Sequence, residues 1–178
     1  MNTQTTPTLL KVSIIPASSS QVSVLWKALA ELIESNRFPL VKVSSDSDTG
    51  ETELEGVGYQ HLHVFINELK TMGCEFEVAP FRLIAKRRTV GSGYVPQQPI
   101  MKVEIKVPSA KQDVVKGLIS YHRGEIKETR DLADDGEANL LVSTELPLAE
   151  LENFPDELRG ISEHASFSSE FLEYRDSQ

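Results

Sequence analysis

Apolar and polar positions follow a pattern that runs through the chain twice. In "LLKVSIIP", Leu10, Val12 and Ile14 share one face, as in a half-buried strand. The period lengthens in "SQVSVLWKALAELIES", where Val22, Leu25, Leu29 and Leu32 form one helical stripe and Lys27, Glu31 and Glu34 lie off it. Ser18, Ser19 and Ser20 offer an N-cap oxygen to the free amides of that helix. "LVKVSS" and "ETELEG" read as two strands around a turn, "DSDTG". "YQHLHVFINELKTMG" returns to helical spacing through Leu62, Phe65 or Ile66, and Leu69, and stops at Gly73. "EFEVAPFRLIAKR" closes this half as a strand interrupted near Pro80.

The second half repeats the order. "IMKVEIKVP" puts Met101, Val103, Ile105 and Val107 on one face and Lys102, Glu104 and Lys106 on the other. "KQDVVKGLISY" predicts a helix with Val114, Val115, Leu118 and Ile119 on its buried stripe. "GEIKETRDL" and "EANLLVSTELPL" form a hairpin across "ADDG", and a short helix near "PDELRGISEH" leads into a last strand, "ASFSSEFLEY". Each half is βαββαβ, the ferredoxin-like unit, so the expected class is α+β with two tandem sandwiches. Helices cover one face of such a sheet and leave the other open, which accounts for the alternation. "VGSGYVPQQ" reads as a polar, glycine-containing connection. The expected domains are therefore 8–88 and 99–176, with a mobile linker at 89–98 that a protease cuts first.

Composition narrows the partners. The chain of 178 residues carries a net charge of −9. Up to Arg88 there are nine basic residues against ten acidic; from Thr89 there are nine against seventeen. An acidic second half opposes general binding to DNA or RNA through counterion release, while leaving room for local basic contacts. No apolar run reaches the ~20 residues of a membrane span, and "MNTQTTPT" has neither the basic nor the apolar region of a signal peptide. The lone Cys74 forms no internal disulfide, so a cytoplasmic setting is expected.

Catalytic chemistry finds little support. There is no phosphate-cradling G-x-x-x-x-G-K-[ST], and "GVG" at 56–58 lacks the third glycine of a dinucleotide fingerprint. On a helix, His61 and His63 point to opposite sides and cannot share one ion, so neither a metal nor another cofactor is expected. No nucleophile, base and orienting group can be assembled from motif spacing, and the chain is read as no enzyme.

A family resemblance adds to this reading. "ETELEGVGYQHLHVFINELK" resembles the end of domain III in elongation factor G, with Gly56, Gly58, His61, Leu62, Leu69 and Lys70 matching its strand–turn–helix pattern. Tyr59 and His63 depart from it, where the family has acids. "LLKVSIIPASSSQVSVLWKALAELIES" looks like the first strand and helix of the same domain. "QPIMKVEIKVP" and "SYHRGEI" resemble the opening strand and the Arg-Gly turn of domain V, here Arg123 and Gly124. "LPLAELENFPDELRGISEHASFSSEF" is similar to its closing segment, with Glu163, His164 and Ala165 where the family has a Gln-Gly-Arg-Gly run. The resemblance spans residues 8–176 and implies that "VGSGYVPQQ" stands in place of domain IV.

What the resemblance implies is a non-catalytic, translation-factor-derived module, or the C-terminal part of an elongation factor G-like protein, that binds the ribosome, a ribosomal protein or a translation GTPase. A protein surface is favoured over RNA. Lys86, Arg87, Arg88, Arg123 and Gly124 are the candidate contacts. The alternative is a small-molecule regulatory module on a tandem ferredoxin-like scaffold. Because the phosphate-binding loop is missing from this sequence, calorimetry with GTP and Mg²⁺ is expected to show no heat; saturable micromolar binding would contradict the reading.

Overall fold

The structure, a computed structural model, describes residues 7–45, 51–134 and 137–177. The turn predicted at 46–50 and the tip of "ADDG" at 135–136 lie outside them. The chain forms two compact units, Met1–Ile84 and Ala85–Gln178.

In the first unit, β1 (Leu10–Pro16), α1 (Ser19–Glu34), β2 (Lys42–Ser45), β3 (Thr52–Gly56), α2 (Tyr59–Thr71), β4 (Phe76–Val78) and β5 (Arg82–Leu83) follow in order. The antiparallel sheet runs β2-β3-β1-β4, and β5 also pairs with β1. The break near Pro80 divides the last strand into two pieces along the same neighbour, bridged by the Ala79 amide donating to the Ser13 carbonyl at 2.9 Å. Leu10, Val12, Ile14 and Leu54 from the sheet meet Leu25, Leu29 and Leu32 of α1 and Leu62, Phe65, Ile66 and Leu69 of α2. Val22 is only half-buried. Ser18 occupies the N-cap of α1, but its hydroxyl makes no cap bond; it meets the Ser20 hydroxyl at 2.9 Å instead.

The second unit contains β6 (Lys86–Val90), β7 (Gly93–Pro108), α3 (Gln112–Tyr121), β8 (Glu125–Asp134), β9 (Glu137–Pro147), α4 (Phe154–Ile161) and β10 (Ser166–Asp176). Its antiparallel sheet runs β10-β7-β9-β8, so each unit places its outer pair of strands in the same ferredoxin-like order. Met101, Val103, Ile105 and Val107 line the core with Leu140, Val142 and Leu146, under Val115, Ile119, Phe154 and Leu158. Val114, expected on the buried stripe of α3, is instead 55% exposed.

The segment read as a linker is a β-hairpin. β6 pairs with the start of β7 from Lys86↔Gln97 to Val90↔Gly93, leaving a two-residue turn of Gly91 and Ser92. Gly91 has φ +58, the glycine-first pattern of a type II′ turn whose twist suits a hairpin. Each of its prolines is paired on one edge of β7, Pro96 with Arg87 and Pro99 with Tyr174, and faces an unpaired stretch on the other. β6 ends its pairing at Gln97 and β9 begins at Ile100, so Pro99 sits in the gap. Pro96 lies one residue before pairing with β10 begins at Gln97. The missing amides therefore break no ladder bond. The boundary at Ile84 also moves three cations. The first unit then has six basic and ten acidic residues, or −4, and the second twelve and seventeen, or −5. The uneven charge seen with a cut at Arg88 disappears.

Two glycines fix how helices meet strands. A Cβ on Gly56 would lie 2.9 Å from Leu62 Cγ. On Gly124 it would lie 2.6 Å from both Ile119 Cγ2 and Leu146 Cδ2, and 3.0 Å from the Ile119 carbonyl oxygen. Gly117, in the interior of α3, faces open space. Gly56→Ala and Gly124→Ala are expected to destabilise their units by about 1–3 kcal/mol through overpacking. Gly117→Ala should stabilise by about 0.5–1 kcal/mol. Thermal melts check all three, since about 4–8 °C accompanies each kcal/mol in a unit of this size.

Candidate functional site

The α3–β8 turn is built by local rules with one exception. Three helices end on a residue in the left-handed region: Asn36 after α1, Gly73 after α2 and Arg123 after α3. Asparagine and glycine are the ordinary choices there; arginine is not. The Gly124 amide donates to the Ile119 carbonyl at 2.8 Å and the Arg123 amide to the Ser120 carbonyl at 3.1 Å, the paired bonds of a Schellman turn. With Gly124 pressed on Ile119 and Leu146, the glycine is used at the position after the left-handed one.

Side chains brace this turn. Arg123 donates to Glu150 Oε1 through Nε at 2.9 Å and also through Nη2. Glu150 lies in the 3-10 turn Leu148–Leu151, and its other oxygen meets His122 Nδ1 at 3.2 Å. His122 Nε2 reaches Glu157 of α4 at 3.0 Å. His122 is 6% exposed, with its ring edge-on to Tyr121 and Phe154 at 5.1 and 5.5 Å. Burial raises the Glu150 carboxyl, but the hydrogen bonds from Arg123 and His122 outweigh it and hold the carboxyl below its ordinary value of 4.5.

The second cationic position is β6. Lys86 Nζ lies 5.6 Å from the centre of the Tyr174 ring, and Arg88 forms an ion pair with Asp176, to which Gln97 also donates at 3.2 Å. Strand alternation puts Arg87 on the face opposite Lys86 and Arg88. Both nominated positions therefore belong to the second unit, each held by its own partners. The open face of the same sheet carries further ion pairs. Glu145 accepts from Arg175 at 2.6 Å and lies 3.3 Å from Lys127, while Lys102 lies 3.4 Å from Glu170. Burial raises the Glu145 carboxyl, yet Arg175 and Lys127 bring it below its ordinary value. Lys102, Glu104, Ser168, Ser169 and Glu170 line a strongly polar depression on this face.

In the first unit, the two departures from the family pattern share a neighbour. Phe81 stands edge-on to Tyr59 at 5.3 Å and to His63 at 5.0 Å. His61 is exposed on α2, away from this group in helical phase. Sequence reasoning did not find His122, Glu150 or Glu157, whose partners are 28 and 35 positions apart in the chain.

Glu150 contributes its stability fully above pH 4.5, and that contribution fades as pH falls through its lower folded value. Glu150→Gln is therefore expected to be less stable than the unaltered chain at pH 7, with the difference shrinking below pH 4.5. Denaturant midpoints across a pH series check this.

Two family profiles match the chain. One, described as Elongation Factor G, domain III, covers residues 5–80, and the other, described as Elongation factor G C-terminus, covers residues 97–178.

Proposed function

The chain belongs to the elongation factor G family, through its domain III followed by its C-terminal domain, and on that premise we propose that it is a non-catalytic module working on the ribosome. Its main contact is a protein surface, on a ribosomal protein or a translation GTPase, and it acts in the cytoplasm. The observation that carries this reading is the pair of family domains in family order, with the Arg123–Gly124 turn braced rather than free. Arg123 presents the turn, Gly124 allows it to lie close to the sheet, and Glu150 and His122 keep it in place.

Charge supports a protein partner over RNA. The units carry −4 and −5, so long-range attraction to phosphate is unfavourable for both. Arg88 and Arg123 are paired with acids, and Lys86 lies over a ring. A cation already engaged by a carboxylate releases fewer counterions when it meets RNA.

Co-sedimentation with ribosomes across a salt series tests the proposal. Binding is expected to survive raised salt and to fall several-fold in Arg123→Gly, a variant that suits the left-handed backbone and so keeps the turn. A steep loss with salt that disappears when Lys86, Arg87 and Arg88 are neutralised would make RNA the target. Failure to associate with either ribosomes or translation GTPases would overturn the proposal.

A further inference from the structure

β6 is an edge strand with an open side. Among the described strands it pairs with β7 alone, and all five of its residues are exposed. Val90 and Gly93 close the two-residue turn as a bonded pair, so the ladder bonds fall on Val90, Arg88 and Lys86. The amides and carbonyls of Arg87 and Thr89 then face away from β7. Pro96 opposite Arg87 agrees with this, since proline has no amide to give that ladder.

Exposed edges are commonly guarded by charge. The guard here has one sign: Lys86, Arg87 and Arg88, with no acid from Ala85 to Gln98. It acts against a second copy of the chain, because β6 laid beside β6 sets like charges together. It does not act against an acidic strand. The cations are also divided between the two faces of β6, which suits a strand bearing acids on both of its faces better than a phosphate backbone tracking one surface. Asp176 of β10, across β7 from β6, already engages Arg88. Val90, 47% exposed, adds an apolar contact near the tip.

We propose that the outer edge of β6 is a strand-addition site for an extended acidic segment of a partner protein. The segment bonds to the main chain of Arg87 and Thr89, and its acids meet Lys86 and Arg87. This rests in part on the cationic position named above for ribosome contact, but its assay contains no ribosome, so either proposal can fail alone.

The test is fluorescence anisotropy on the full chain with a labelled heptapeptide alternating pairs of glutamates with valine–threonine pairs, so that acids lie on both faces of the strand. A peptide of equal charge interrupted by prolines and a uridine decamer serve as comparisons. The alternating peptide is expected to bind, and the proline-interrupted one to bind about tenfold more weakly, the equivalent of one or two lost main-chain hydrogen bonds. Thr89→Pro removes an outward amide and should weaken the alternating peptide by about the same factor. Arg87→Glu, which leaves the backbone alone, should weaken it several-fold. Equal binding of the two peptides, binding unchanged by both variants, tighter binding of the RNA, or no peptide binding at all would each overturn the proposal.

Discussion

The close approach of Gly124 to Ile119 and Leu146 is the constraint on which the second unit's candidate site depends. Because nothing larger than a hydrogen fits there, α3 must end within one turn of the sheet, and the residue before the glycine takes the left-handed conformation. An arginine accepts that conformation only against a steric penalty of about 1–2 kcal/mol. Its two bonds to Glu150, charge-assisted and directed by a planar guanidinium, are the kind of interaction that offsets such a penalty. Glu150 is in turn positioned by His122, and His122 by Glu157, so packing at one glycine propagates through four polar side chains to α4.

A similar logic holds in the first unit, with apolar contacts in place of ions. Gly56 lets Leu62 lie against the end of β3, which sets where α2 begins. Beside that junction the Tyr59, His63 and Phe81 rings pack on one another.

Much of this fold was legible from period alone. β7 reads directly because buried and half-buried residues alternate from Met101 to Pro108, and α2 because Leu62, Phe65, Ile66 and Leu69 trace one stripe. The β6–β7 hairpin was not legible. Pro96, Gln97, Gln98 and Pro99 suppress the strand signal, and only the register shows that each proline meets a gap in the ladders. The cue that was present is Gly-Ser flanked by Thr89, Val90, Tyr94 and Val95, a two-residue turn between β-forming residues. Arg123 and Gly124 were nominated through the family motif. His122, Glu150 and Glu157 were not, because no periodicity relates a helix end to a 3-10 turn and a helix so far along the chain. Val114 misled because a narrow helix that buries only Val115 and Ile119 leaves its flank in water.

The Gly91–Ser92 turn lies between the two matched family regions, at the tip of a ladder that holds Val90 and Gly93 side by side. Chain ends facing each other across a bonded strand pair are about 5.5 Å apart. They form a socket: any segment whose own termini lie that close can be spliced in without altering the strands below. Lengthening such a connection adds only about 0.6 kcal/mol of closure entropy per doubling. The hairpin makes this point between the two matched regions a modular port, where material can enter or leave while the strands below keep their register.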